Sequence, residues 1–157
     1  MKSMSSSELS LKLVRPLSSQ AMPQSEFFIQ GQPTGKLVDG AILEAAVSWG
    51  NYCLTFVTDD IPNEETLRIY LFDSSLNLID SATLGAMYST GTFGRLELAP
   101  PNTLRFAFFG DTMWTLGSSL AAGAAQDFLA TTFAAVLDPA ERDACRLDVL
   151  GARRLAH

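Results

Sequence analysis

Histidine occurs once in this chain, at His157, and cysteine twice, at Cys53 and Cys145. That inventory excludes an intrachain zinc site of the usual four-ligand kind. Two cysteines so far apart in sequence make neither a disulfide framework nor a metal knuckle, so both read as free thiols of a reducing compartment. Lysine is scarce as well: Lys2, Lys12 and Lys36 are the only three. Asp and Glu together number 17 against 11 Lys and Arg, a formal net charge of −6. A surface of that sign repels phosphate backbones and argues against nucleic acid as a partner. It suits a basic protein partner or a cationic ligand, and it also serves plain solubility.

Long apolar runs are missing too. The N-terminal stretch Met1–Pro23 has no continuous apolar core of the length a signal peptide needs, which points to a cytoplasmic chain. Thr112–Leu137 contains a single charge, Asp127. Asp127 and Gln126 fall in mid-span, the flanks Asp111 and Asp138 are acidic, and Gly117-Ser118-Ser119 breaks the run. No membrane crossing is expected there.

Motifs for nucleotide binding and catalysis fail on inspection. Gly31-Gln-Pro-Thr-Gly-Lys36 ends in Gly-Lys, as phosphate-binding loops do, but only three residues separate its glycines and Leu37 follows the lysine. It lies between β-type runs, with no helix N-terminus aimed at a phosphate, so it reads as a turn. Gly117-Ser118-Ser119-Leu120-Ala121 approaches a nucleophile elbow. Ser119, Asp143 or Asp148, and His157 even follow the order of an esterase triad. The expected sheet is antiparallel, however, and the only histidine sits at the end of the chain, where a base is poorly held. A serine hydrolase is therefore the third reading, and no catalytic residue, metal ligand or cofactor is assigned.

What is present is a β-rich body. Ser25–Gln30, Leu37–Trp49, Tyr52–Thr58, Thr66–Phe72, Leu76–Leu84, Phe93–Ala99, Thr103–Phe109 and Thr112–Leu116 read as strands, and Leu9–Val14 alternates as an edge strand would. Gly50-Asn51 and Gly110-Asp111 are hairpin signals, and Pro100-Pro101-Asn102 marks another turn. Short connections without intervening helices predict an antiparallel β-meander of 7–9 strands closing into a barrel or a two-sheet sandwich. Several strands are apolar on both faces, as in Phe106-Ala-Phe-Phe109, so one face is expected in the core and the other beneath C-terminal helices. Alanine-rich Ser118–Leu137 predicts the first helix. Asp138-Pro-Ala-Glu141 is a capping box opening a second, which runs to about Leu150. The organisation expected is a single domain: a partly flexible N-terminal arm over 1–24, a β-meander body over 25–117 and a helical segment over 118–157 packed on that body, with homodimerisation through those helices as an option.

Two candidate surfaces emerge. Asp59-Asp-Ile-Pro-Asn-Glu-Glu65 is the densest acidic cluster, and Asp59, Asp60, Glu64 and Glu65 are the candidate partner-binding residues. Its spacing lacks the alternating ligands and central glycine of a calcium loop. Trp49, Tyr88, Phe93, Trp114 and Arg105 are the candidate lining of an aromatic pocket for a small apolar ligand. Arg68, Arg95 and Arg105 each stand between apolar neighbours, as outward charges or as inward anchors for a carboxylate. The leading expectation is a non-enzymatic interaction protein that binds a basic partner through an acidic β surface. The alternative is a small-molecule-binding β-barrel.

Overall fold

The computed structural model describes residues 1–85, 90–99, 103–109, 113–117 and 134–136. Twelve strands run through them: β1 (Lys2–Ser3), β2 (Leu9–Arg15), β3 (Gln24–Ile29), β4 (Gln32–Asp39), β5 (Ile42–Trp49), β6 (Tyr52–Thr58), β7 (Leu67–Phe72), β8 (Leu78–Leu84), β9 (Gly94–Ala99), β10 (Thr103–Ala107), β11 (Met113–Gly117) and β12 (Ala134–Val136). All pairings are antiparallel. They make three open sheets, ordered β1-β5-β6-β7-β8, β12-β11-β10-β9 and β2-β3-β4. The expected mainly β, antiparallel architecture is present. The closed barrel is not: these strands divide among separate sheets.

Gly40 is one reason. Sequence reads Leu37–Trp49 as one strand, but the chain bends at Gly40, whose φ is +119°. The Gly40 N–H donates to the Pro23 carbonyl at 2.8 Å. A Cβ there would lie 2.3 Å from Val57 Cγ1, so only glycine passes this corner. The break sends β4 into the three-stranded sheet and β5 into the five-stranded one.

The five-stranded sheet is covered on both faces. One face presents Val47, Trp49, Leu54, Phe56, Leu67, Ile69, Leu71 and Leu84 to Leu104, Phe106, Phe108, Trp114 and Leu116 of the β9–β12 sheet and the segment after β10. The other presents Ala46 and Phe72, with Leu43, Cys53 and Tyr70 at the margin, to Leu9, Phe27 and Val38 of the β2–β4 sheet. Phe27 and Phe72 meet edge to face at 5.3 Å, a geometry favoured by the ring quadrupoles. The five-stranded sheet thus has a cover on each side, the β9–β12 sheet on one and the β2–β4 sheet on the other. Apart from Ala134–Val136, the C-terminal helices expected to pack on the β body fall on residues outside those described.

A β-bulge between Leu43 and Ala45 adjusts β5. Strict alternation would put Glu44 on the same face as Ala46. The extra residue instead brings Leu43 to that cluster and leaves Glu44 exposed. The Gly50-Asn51 hairpin forms as expected, with Trp49 registered on Tyr52 and Gly50 at φ +61°. In "GQPTGK" the reversal is Gln30-Gly31, both at positive φ, and the remaining residues belong to β4. The Gly35 N–H already donates to a Glu26 carboxylate oxygen at 2.9 Å, so the segment offers a carboxylate where a phosphate site would need free amides.

At the C-terminal end, Ala134–Val136 corrects the expected helix over 118–137. It pairs with β11 through Val136 on Thr115, Ala135 on Leu116 and Ala134 on Gly117. Alanine's helix preference is a few tenths of a kcal/mol per residue, and an open sheet edge that satisfies the backbone overrides it. The rest of that helix, the second helix and the Pro100–Asn102 and Gly110-Asp111 turns lie outside the described residues. Among the described residues, no helix is long and apolar enough to cross a membrane.

Candidate functional site

The Asp59–Glu65 loop leaves the end of β6 and re-enters the sheet at β7. Its first residue turns inward. Asp59 is 2 % exposed, and its carboxylate receives Arg68 Nε at 2.8 Å and a second guanidinium nitrogen at 3.1 Å. Arg68 is therefore an inward anchor for a carboxylate, the option the sequence left open. Burial alone pulls the Arg68 guanidinium down, but the hydrogen bond and charge of Asp59 outweigh it and hold the group above its ordinary value.

The last residue of the loop closes it. A Glu65 carboxylate oxygen accepts the Asp59 N–H at 2.8 Å and the Thr66 N–H at 3.2 Å. Burial raises the Glu65 carboxyl above the usual range, opposed by these backbone bonds. Between the two anchors, Asp60 and Asn63 adopt left-handed backbone at φ +58° and +72°. Asp and Asn tolerate that region better than other non-glycine residues. Asp60 and Glu64 are the loop's exposed acids. Of the four acidic candidates, two hold the loop together and two face solvent.

Neighbouring elements add to this end of the molecule. Tyr70 donates its hydroxyl to the Asp39 carbonyl at 2.8 Å, and burial pushes the phenol up to about 12. Asp39 and Glu44 are exposed, and Glu44 accepts the Thr58 hydroxyl at 2.7 Å. Thr58 is registered on Ile42, one residue before Asp59. Glu44 and Asp39 were not singled out in the sequence, and no local pattern joins them to the loop. Only the β4–Gly40–β5 corner does so.

The aromatic candidates separate differently. Trp49, Phe93 and Trp114 share the larger hydrophobic cluster. Phe93 packs on Phe56 at 5.0 Å and on Phe106 at 5.8 Å, and the Trp114 indole N–H donates to the Phe108 carbonyl at 3.1 Å. These side chains fill the space between two sheets. Arg105 is exposed on β10 opposite Glu97 of β9. Tyr88, Ser119, Asp143, Asp148, Cys145 and His157 lie outside the described residues. Cys53 is mostly buried, which pushes its thiol up to about 11.

A groove of about 480 Å³ lies on the edge of β5. Its walls are Met4, Leu9 and Leu11 on one side and Ile42, Glu44 and Ala46 on the other. β1 covers the neighbouring part of that edge, pairing Lys2 with Ser48 and Ser3 with Val47, and Met4 N–H donates to the Ala46 carbonyl at 2.8 Å. Among the described residues no group of three or more His, Cys, Asp or Glu is arranged to hold a metal ion. No protein-family model matches the chain, and comparison with curated proteins and with solved structures found no match.

Proposed function

We propose that this protein works by contact, as a non-enzymatic module that binds a basic protein partner through the acidic surface around Asp60 and Glu64. The observation that carries this reading is the construction of the loop. The buried Asp59–Arg68 pair and the Glu65 cap fix its ends, so Asp60 and Glu64 are held out on an ordered backbone. A preorganised surface loses less conformational freedom on association, and charge complementarity steers the encounter. Asp39 and Glu44 extend the same negative field.

The test is fluorescence anisotropy with a labelled octapeptide that repeats Val-Val-Lys-Lys, which as a strand carries apolar side chains and cations on both faces. Affinity should fall about tenfold between 25 and 300 mM NaCl, as screening shortens the reach of the charges. Asp60→Asn/Glu64→Gln should weaken binding several-fold. Glu26→Gln/Glu97→Gln, which removes the same charge from other sheets, should weaken it much less. Equal losses in the two variants would reduce the effect to net charge and defeat the proposal.

A further inference from the structure

The groove beside β5 stands next to a short strap that the chain itself lays on that edge. The geometry points to the strap as a displaceable occupant, and to the β5 edge with its groove as the seat for an extended basic–apolar segment of the partner. This deepens the reading of a basic partner and rests on it.

The strap shows what the edge accepts. Met1 reaches the cluster between the five-stranded and β9–β12 sheets, while Met4 reaches the cluster on the opposite face. Lys2 stands between them, with its ammonium 4.0 Å from a Glu8 carboxylate oxygen. A segment with large apolar side chains on both faces and an interleaved cation therefore fits this edge. The backbone contacts are antiparallel ladder bonds, which any sequence except proline supplies.

The strap is also short. Its sheet pairing covers two residues plus the Met4–Ala46 bond, and an element held to a sheet by so few ladder bonds opens at low free-energy cost. At Ser5 the chain turns away. Glu8 and Leu9 N–H groups donate to the Ser5 carbonyl at 3.0 and 3.1 Å, and the Ser5 N–H donates to the Glu8 carboxylate at 2.8 Å. The strap thus leaves β5 at Ala46, and the groove continues past it along Ile42–Ala45. The bulge at Leu43–Ala45 interrupts regular pairing there, so an incoming strand would pair at Ala46–Ser48 and lie in the groove beyond. Glu44 lines that part, and its far end at Ile42 is registered on Thr58, beside Asp59-Asp60. A straight segment longer than the strap gains contacts the strap does not make, with acids along its path.

The same labelled valine–lysine octapeptide separates this inference from the loop reading. Three forms of the chain are titrated: the full chain, one lacking Met1–Met4, and Ser3→Cys/Val47→Cys in a Cys53→Ala/Cys145→Ala background. The last pair closes a disulfide across a registered pair and locks the strap. Removal of the strap should tighten binding at least tenfold. The oxidised lock should abolish groove binding, and reduction should restore it. Hydrogen exchange should slow at Ala46–Ser48 when peptide binds. If the deletion fails to fold, the lock and its reduction decide alone. Binding that responds to Asp60→Asn/Glu64→Gln but ignores both deletion and lock overturns the strap inference and leaves the loop reading standing. No binding to any form overturns both.

Discussion

Removing Arg68 should damage the molecule more than removing Asp59, although each deletion breaks the same ion pair. The Asp59 side chain is fully buried and that of Arg68 is 17 % exposed. Without Arg68, the carboxylate stays desolvated with its charge uncompensated. Loss of one partner of a buried pair typically costs 3–5 kcal/mol, and the partial exposure of Arg68 places Arg68→Ala near the lower end, about 3 kcal/mol. Without Asp59, the long guanidinium side chain can swing its head to water, so Asp59→Ala should cost about 2 kcal/mol. For a chain of this length, 3 kcal/mol corresponds to a fall in melting temperature of roughly 6–12 °C. The double variant should be less destabilised than the sum of the singles, since each single leaves a widowed charge. Urea and thermal unfolding followed by circular dichroism measure all three. A cost for Arg68→Ala of about 1 kcal/mol or less would mean the pair behaves as a surface ion pair. A larger cost for Asp59→Ala than for Arg68→Ala would refute the argument from burial. Because the pair anchors the Asp59–Glu65 loop, Arg68→Ala should also weaken peptide binding.

Two further outcomes follow from buried polar atoms. Thr55 is fully buried on β6, and its hydroxyl has no hydrogen-bond partner; Thr55→Val keeps the shape and should stabilise by about 1 kcal/mol in urea unfolding, with a loss of stability counting against it. The folded Glu65 carboxyl ionises above its ordinary value, so its contribution is full at pH below the unfolded value, about 4.3, and declines as pH rises through the folded one. The unfolding free energy of the wild type minus that of Glu65→Gln should therefore fall between pH 4 and pH 7, and a flat or rising difference would contradict the burial of that group.

Strand positions were largely legible because their signals are local. The Gly50-Asn51 turn and the β-branched and aromatic runs from Tyr52 to Phe72 need no knowledge of the rest of the chain. Sheet membership was not legible. Whether β4 and β5 continue or part depends on the Gly40 amide meeting Pro23 and on Val57 crowding the corner, contacts between segments distant in sequence. The failure at Ala134–Val136 is of the same kind, since composition reports helix preference and says nothing of an available edge on β11. At the site, the acidic loop was visible but its division of labour was not. Asp59 and Asp60 are adjacent and chemically alike, and only the Arg68 side chain nine positions on distinguishes the buried one from the exposed one. Phe93 and Trp114, as aromatics in β-type runs, read more readily as core than as pocket lining, and their ring contacts lie within the larger hydrophobic cluster.

The five-stranded sheet has no wet side over β6, and this alters what defines its alignment. In a half-exposed strand, slipping one residue throws apolar groups into water, and polarity alone forbids it. Along Leu54–Thr58 both sides are dry, so that penalty is absent. Size discriminates instead: Leu54 and Phe56 face one layer, Cys53 points toward the other, and exchanging them would overfill one gap and hollow the other. For this strand the tight Gly50-Asn51 reversal and steric volume must do the work that an alternating pattern does elsewhere, which makes small-for-large exchanges there a question of alignment as much as of cavities.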